Sequence, residues 1–320
     1  MAILIRFIFF SFLSALNLAD AQTLTFQPAA PSLDSTQIEA FLEGLPAGPA
    51  KLVGVWGDQN FIADSTVVDA SGHLVLRRKN LLKPGFYTFL LPSMKQLSFL
   101  IDKDQRMTMR AKSPDFFGTM QVEGSINTDL FYQTIRFQTK QEPELNQLSA
   151  VMSKTAPNSQ EFLQAKFRQQ QILDERKAYL DGIFKQYPDA FFTKFKIAGQ
   201  NPEFKEFKKV NGDVDTLRQL IYYRDHFWDG VDFSDDRLLN TPVIANKLKR
   251  YIKELTPQNP DSLIKVADAL IQRVIKDREY FKYFTNCIAL QNENTKTTVM
   301  DGEAVYVHII KNYFTPELAY

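Results

Sequence analysis

The chain has 320 residues, with 38 Lys and Arg against 37 Asp and Glu, so its formal net charge is +1. That balance supplies no broad field to draw in nucleic acid or an anionic membrane surface. Its one cysteine, Cys287, excludes an intrachain disulfide framework and any C-x-x-C redox or zinc motif.

The N-terminus reads as a secretory signal peptide over residues 1–21. Arg6 supplies the positive charge, Phe7–Leu18 is an almost unbroken apolar run, and Ala19-Asp20-Ala21 is a small-x-small cleavage site. The run is too short to span a bilayer comfortably, and no stop-transfer charges follow it. Gln22, rather than a cysteine, follows the site, which argues against a lipoprotein. The expected mature protein begins at Gln22, lies in the periplasm and has no integral membrane segment after signal cleavage. Its net charge stays at +1, since Arg6 and Asp20 leave together. Residues 22–35 read as a linker.

From about residue 36 to residue 123 the pattern is one of short strands separated by turn chemistry. Lys51–Trp56 and Phe61–Val68 flank Gly57-Asp58-Gln59-Asn60, and Asp69-Ala70-Ser71-Gly72 leads into His73–Arg78. Pro84-Gly85 opens Phe86–Leu91. Leu97–Ile101 and Arg106–Ala111 flank Asp102-Lys103-Asp104-Gln105, and Thr119–Val122 closes the series. Strands at this spacing predict an antiparallel β-sandwich. Ile38–Leu42 is compatible with a helical turn or an edge strand, and five residues are too few for periodicity to arbitrate.

The period changes at Gly124. Ser125 or Asn127 can cap a helix through Leu130, Phe131, Ile135 and Phe137. Gln141–Pro157 reads as a polar connector with room for a short helix. A long helix follows over Ser159–Lys185, with Phe162, Ala165, Phe167, Ile172, Leu173, Leu180, Ile183 and Phe184 as a loose apolar face. Pro188 fits the first position of the next helix, through Phe191, Phe192 and Phe195. Asp213–His226 is predicted helical with Val214, Leu217, Leu220 and Ile221 inward. Thr241-Pro242 and Asn259-Pro260 are cap-plus-proline starts for two more helices, and Phe281–Leu290 and Gly302–Tyr313 complete the set. The expected architecture is therefore α+β: a β-sandwich domain over residues 36–123, then a separate all-α helical domain over residues 124–320.

The search for chemistry assigns no catalytic, cofactor-binding or metal-binding residue. Asp229, Asp232, Asp235 and Asp236, with His226 beside them, lack the spacing and the closing glutamate of a calcium loop, and fit acids at the start of a helical turn. His73, His226 and His308 are scattered, and no G-x-S-x-G elbow, phosphate-binding glycine loop or H-E-x-x-H occurs. Arg77-Arg78-Lys79 and Lys205–Lys209 read as solvated surface. Cys287, between Phe284 and Ile288 in a helical pattern, reads as an inert packing thiol. The aromatics at Tyr222-Tyr223 and Phe227-Trp228 could line a ligand groove, although their spacing favours core.

Several stretches together resemble a known family. They are Asp64-Ser65-Thr66, Asp69-Ala70-Ser71-Gly72, Pro84-Gly85-Phe86-Tyr87 and Glu123-Gly124-Ser125, then Tyr223–Asp229, Asp232–Leu239, Thr241-Pro242-Val243, Leu255-Thr256-Pro257 and Met300–Val305. The chain resembles the N-terminal region of secreted thioredoxin-like thiol-disulfide oxidoreductases of Bacteroidota. In those proteins a β-sandwich and a helical domain, both of unknown function, precede a thioredoxin fold carrying C-x-x-C. The resemblance makes Ile38–Leu42 a strand. The thioredoxin fold and its cysteines are absent from these residues, and no catalytic residue carries over. The expected function is a non-enzymatic periplasmic module that binds or positions a redox partner, either an envelope thioredoxin-like protein or a second copy of the chain. The alternative is a thiol-disulfide oxidoreductase shortened after Tyr320, without its catalytic domain.

Overall fold

The computed structural model describes residues 35–293 and 301–318. The expected signal peptide, 1–21, and all but the last residue of the linker 22–35 lie outside the described residues, as do residues 294–300 and 319–320. The described chain is α+β, with strands first and helices after them.

Among the described residues eight strands form one curled, mixed sheet. They are β1 (Thr36–Glu43), β2 (Gly48–Trp56), β3 (Gln59–Val68), β4 (His73–Arg78), β5 (Gly85–Leu90), β6 (Gln96–Ile101), β7 (Arg106–Lys112) and β8 (Gln121–Glu123). Their order across the sheet is β6-β5-β2-β3-β4-β1-β7-β8. The antiparallel two-layer arrangement expected from strand spacing is thus realised as a single sheet in which β1 has a parallel neighbour. β1 runs antiparallel to β4, with Thr36 opposite Arg78 and Phe41 opposite His73. It runs parallel to β7, from Gln37 opposite Arg106 to Glu43 opposite Lys112. β1 is therefore a strand, as the resemblance implied, and its alternation buries Ile38, Ala40 and Leu42 on one face. Gly72 turns the chain before β4 at φ +78°, where a side chain would meet the Leu42 carbonyl oxygen at 2.2 Å.

Among the described residues ten helices accompany the sheet: α1 (Phe116–Thr119), α2 (Ile126–Thr139), α3 (Glu142–Lys154), α4 (Gln160–Gln186), α5 (Phe191–Gly199), α6 (Thr216–Asp225), α7 (Pro242–Lys253), α8 (Pro260–Val274), α9 (Arg278–Gln291) and α10 (Gly302–Tyr313). The chain divides into two compact units. One holds the described residues up to Leu52, Ile62–Leu82 and Tyr87–Thr193; the other holds Val53–Phe61, Lys83–Phe86 and the residues from Lys194 onward.

In the first unit the core is made by Ile38, Leu42, Leu52, Leu74, Leu76, Phe89, Phe99, Met109 and Tyr132. A buried turn residue, Gln105, ties three segments together. Its side-chain oxygen accepts from the Thr36 hydroxyl at 2.6 Å and from the Leu82 amide at 3.1 Å, and its side-chain nitrogen donates to the Asp102 carbonyl at 2.8 Å. Ser125, one of the two expected caps, accepts the Thr128 amide at the start of α2. Asn127 serves elsewhere, accepting the Phe192 amide at 2.9 Å at the start of α5. Pro188 therefore lies before α5 rather than at its first position. α2 seals the edge strand β6. The Thr128 hydroxyl donates to the Leu100 carbonyl at 2.8 Å and accepts the Leu100 amide at 3.2 Å, while the Tyr132 hydroxyl donates to the Ser98 carbonyl at 2.8 Å.

Two helical readings are corrected in this unit. The polar stretch after Gln141 is the thirteen-residue helix α3, started by Pro143 in its first turn. Its seam with α4 is polar: Arg168 pairs with Glu144 at 2.7 Å, and Arg176 donates to the Gln141 side chain at 2.9 Å. An apolar period has nothing to detect in such a seam. α4 buries Ala165, Ile172, Arg176 and Ile183, whereas Phe167, expected on the apolar face, is exposed.

The second unit packs Phe227, Leu238, Ile244, Leu248, Leu270, Ile271, Tyr280, Phe284, Val305 and Ile309 into its interior. Both expected caps form: the Thr241 hydroxyl accepts the Val243 amide, and the Asn259 side chain accepts the Ser262 amide. α6 is turned the other way from expectation. Val214, Leu217, Leu220 and Ile221 are exposed, while Gln219 is buried and Tyr222 and Tyr223 are half-buried. Phe207 packs on Tyr222 at 5.6 Å between ring centroids, so larger aromatic surfaces fix which face of α6 turns inward. Among the described residues no helix is long and apolar enough to cross a membrane.

Replacing Thr128 by Val keeps its shape but leaves the buried Leu100 amide and carbonyl without their partner. Urea unfolding should show a loss of about 1–3 kcal/mol. Unchanged stability would mean that water satisfies this edge and α2 does not.

Candidate functional site

The second unit carries a pocket of about 440 Å³ walled by the C-terminal turn of α6, by α7 and by α8. Each wall has a sequence reason to be where it is. α6 contributes Arg224 and Asp225 from its last turn. The following turn, in which the Phe227 amide donates to the Arg224 carbonyl, then buries Trp228. α7, held by its Thr241 cap, contributes Tyr251. α8 presents Ser262, Lys265, Ala269 and Arg273, which are spaced to share one helical face.

The electrostatics of this pocket are one-sided. Arg224, Lys265 and Arg273 face a single carboxylate, Asp225. Among the described residues none of the three cations takes part in an ion pair. Two lining residues also hold spare donors: Arg224 Nε and Trp228 Nε1 are buried without hydrogen-bond partners. Such donors ordinarily find one. Trp228 stands in an aromatic cluster, 5.8 Å from Tyr251, 5.7 Å from Phe227 and 5.7 Å from Phe284 between centroids. Lys247 lies behind this wall, its ammonium 4.4 Å from the Phe227 ring centre and donating to the Gln200 carbonyl at 2.7 Å. Burial, then the nearby Arg250 charge, brings the Lys247 pKa down to about 8. The Trp228 ring is thus both core and pocket wall. Chemically the pocket offers positive charge and a flat apolar surface. Its three cations and one carboxylate suit holding an anionic group.

Cys287 lines a different cavity of the same unit, about 510 Å³, with Gly57, Asp58, Asn246, Lys249, Tyr283 and Gln291 among its walls. Gly57, at φ +58°, lets the chain pass against the Tyr283 ring, where a side-chain carbon would sit 2.1 Å from a ring atom. The Gln291 side chain donates to the thiol sulfur at 3.1 Å. Burial, reinforced by the Asp58 carboxylate, pushes the Cys287 thiol up to about 11. It is therefore protonated, and a weak nucleophile, at neutral pH.

The acidic cluster is dispersed among separate partners. Asp229 meets His226 at 2.6 Å, Asp232 accepts from Ser234 at 2.6 Å, and Asp235 pairs with Arg237 at 2.6 Å. The Ser234 hydroxyl lowers the Asp232 pKa, and burial raises that of Asp236. His73 pairs with Glu39 and His308 with Asp268, both at 2.8 Å, so the three histidines lie in three separate carboxylate contacts. Among the described residues no three His, Cys, Asp or Glu side chains gather as a metal-binding set. Of the side chains weighed from sequence as ligand or metal contacts, Trp228 lines the pocket, while Arg224, Asp225 and Pro257 lie in stretches that carry the family resemblance. Lys265 and Arg273 went unnoticed, because two cations eight residues apart on an amphipathic helix look like solvated surface.

Residues 213–318 match the family model described as a domain of unknown function, DUF5106. All the lining residues of the basic pocket fall inside that match. No curated protein and no solved structure matches the chain.

With its pKa at about 11, Cys287 should react at pH 8 about a hundredfold more slowly than an ordinary thiol, which has far more thiolate at that pH. The rate should keep climbing as pH rises towards 11. The native state prefers the protonated thiol, so this group's contribution to stability is full below the ordinary thiol pKa of about 8.5 and falls above it. Rapid labelling of the folded protein by a disulfide reagent at pH 8 would contradict the buried, neutral thiol.

Proposed function

We propose that the chain is a non-enzymatic binding module of the cell envelope, and that its basic pocket holds an acidic group of a partner protein. The observation that carries this reading is the uncompensated charge set: Arg224, Lys265 and Arg273 around one carboxylate, beside the unpartnered indole N–H of Trp228. The envelope location is supported by Arg6, the Phe7–Leu18 run and Ala19-Asp20-Ala21. A thioredoxin-like redox protein is the partner favoured by the resemblance to secreted Bacteroidota oxidoreductases. That partner could be a separate chain or a further domain of a longer one. Under the alternative reading, a thiol-disulfide oxidoreductase, the reactive dithiol lies outside these residues, because one thiol cannot both attack a disulfide and resolve the mixed product.

The pocket is tested by fluorescence anisotropy with fluorescein-labelled tetraglutamate at low salt. Binding should weaken as salt is added, and Lys265→Glu with Arg273→Glu should weaken it at least about tenfold, or about 1.4 kcal/mol. Affinity indifferent to both salt and charge reversal would sink the proposal. The location is tested by N-terminal sequencing of the protein recovered from an envelope fraction. Gln22 is the expected first residue, and an intact Met1 on a cytosolic form would rule the location out.

A further inference from the structure

α6 is amphipathic in the wrong sense for a helix that serves only its own core. At 100° per residue, Leu217, Leu220, Ile221 and Arg224 fall on one face, and Gln219, Tyr222 and Tyr223 on the other. The polar Gln219 is the buried one, while Leu217 is 66 % exposed, Leu220 41 % and Ile221 48 %. The inward face is already occupied: Phe207 packs on Tyr222, and the Arg218 guanidinium lies 4.7 Å from the Phe207 ring centre. Three adjacent branched apolar side chains are thus left in water on one helical face, a pattern characteristic of an interaction surface. The stripe leads into the basic pocket, since Arg224, one turn beyond Ile221, is a pocket wall. From Leu217 to Arg224 the helix rises about 10 Å.

We infer that the outward face of α6 and the basic pocket form one continuous groove for an amphipathic peptide helix of a partner protein, apolar along its length and acidic at one end. This rests on the pocket reading above and extends it from a single acidic group to a directional segment. Charge complementarity selects this occupant. The cations at the pocket end, Arg224, Lys265 and Arg273, outnumber the one carboxylate there, Asp225, and form no ion pair among the described residues, whereas the loop at the other end of α6 mixes Asp213 and Asp215 with Lys208 and Lys209. A helical peptide with its acids grouped at one end would bring them to those three cations, and its leucines at i, i+3, i+4 and i+7 would follow the stripe.

The test uses a fluorescein-labelled helical peptide of about four turns with leucines in that register and glutamates grouped at one end. A second peptide has the same composition in scrambled order. The ordered peptide should bind at least tenfold more tightly than the scrambled one. Leu217→Ser with Ile221→Ser changes only exposed side chains; it should weaken the ordered peptide at least tenfold and leave tetraglutamate binding within twofold. Lys265→Glu with Arg273→Glu should weaken both probes. Failure of tetraglutamate to bind the unaltered protein tells against the pocket reading, whereas a charge-reversed variant that loses tetraglutamate but keeps the ordered peptide overturns the groove. Equal binding of the two peptides, or no effect of the serine pair, overturns the groove. So does a dimer in sedimentation, or binding to phosphatidylglycerol vesicles, that the serine pair abolishes.

Discussion

The first unit depends on how α2 closes the sheet. An open sheet leaves unpaired amides and carbonyls along each edge, and these must be covered or they invite pairing with another chain. β6 and β8 are the two ends of this sheet, and α2 packs against both. On the β6 side, Thr128 supplies a donor and an acceptor to one residue, Leu100, as a neighbouring strand would, and Tyr132 covers the Ser98 carbonyl. On the other side, Arg136 donates to the Met120 carbonyl just before β8. Asn127, in the first turn of the same helix, anchors the start of α5. One helix with alternating polar and apolar duties therefore does what a two-layered sandwich would have done with a second sheet.

The second unit follows a different logic. Its interior is an aromatic cluster around Trp228, and its charges are arranged around that cluster rather than with one another. Most acids between α6 and α7 are spent locally: Asp229 on His226, Asp232 on Ser234, Asp235 on Arg237. Only Asp225 lines the pocket with Arg224, Lys265 and Arg273. Like charges near low-dielectric aromatic walls interact more strongly than they would in water, which is why this grouping carries the proposed recognition of an acidic group. The same unit keeps its only thiol protonated by burial. Both features favour recognition over thiol chemistry within these residues.

How much of this was legible in the sequence varies with the kind of signal. Strand turns and helix starts were, because they depend on local chemistry: Gly72 at a positive φ, Ser125, Thr241 and Asn259 as caps, and prolines in the first turns of α7 and α8. Pairing was not. The parallel β1–β7 contact joins segments some seventy residues apart, and no period records it. α3 was nearly invisible because its seam with α4 is made of Arg168, Glu144 and Gln141. α6 was visible as a helix but misread in orientation. Periodicity reports that an apolar stripe exists, and the assumption that it turns inward failed where Tyr222 and Tyr223 on the opposite face had more surface to bury. The pocket escaped for a related reason: Arg224, Lys265 and Arg273 each look like ordinary surface until two helices bring them together.

The central claim is that an acidic group docks against Trp228 within the basic pocket. The chain has two tryptophans, Trp56 and Trp228, and only Trp228 lines this pocket, so their indole N–H resonances supply a probe and an internal control. Titrating unlabelled tetraglutamate into ¹⁵N-labelled protein should move the Trp228 indole signal saturably and leave that of Trp56 in place. The movement should disappear in Lys265→Glu with Arg273→Glu. If the Trp228 signal stays fixed, or both signals drift together without saturating, the pocket does not hold an acidic group and the binding-module account fails.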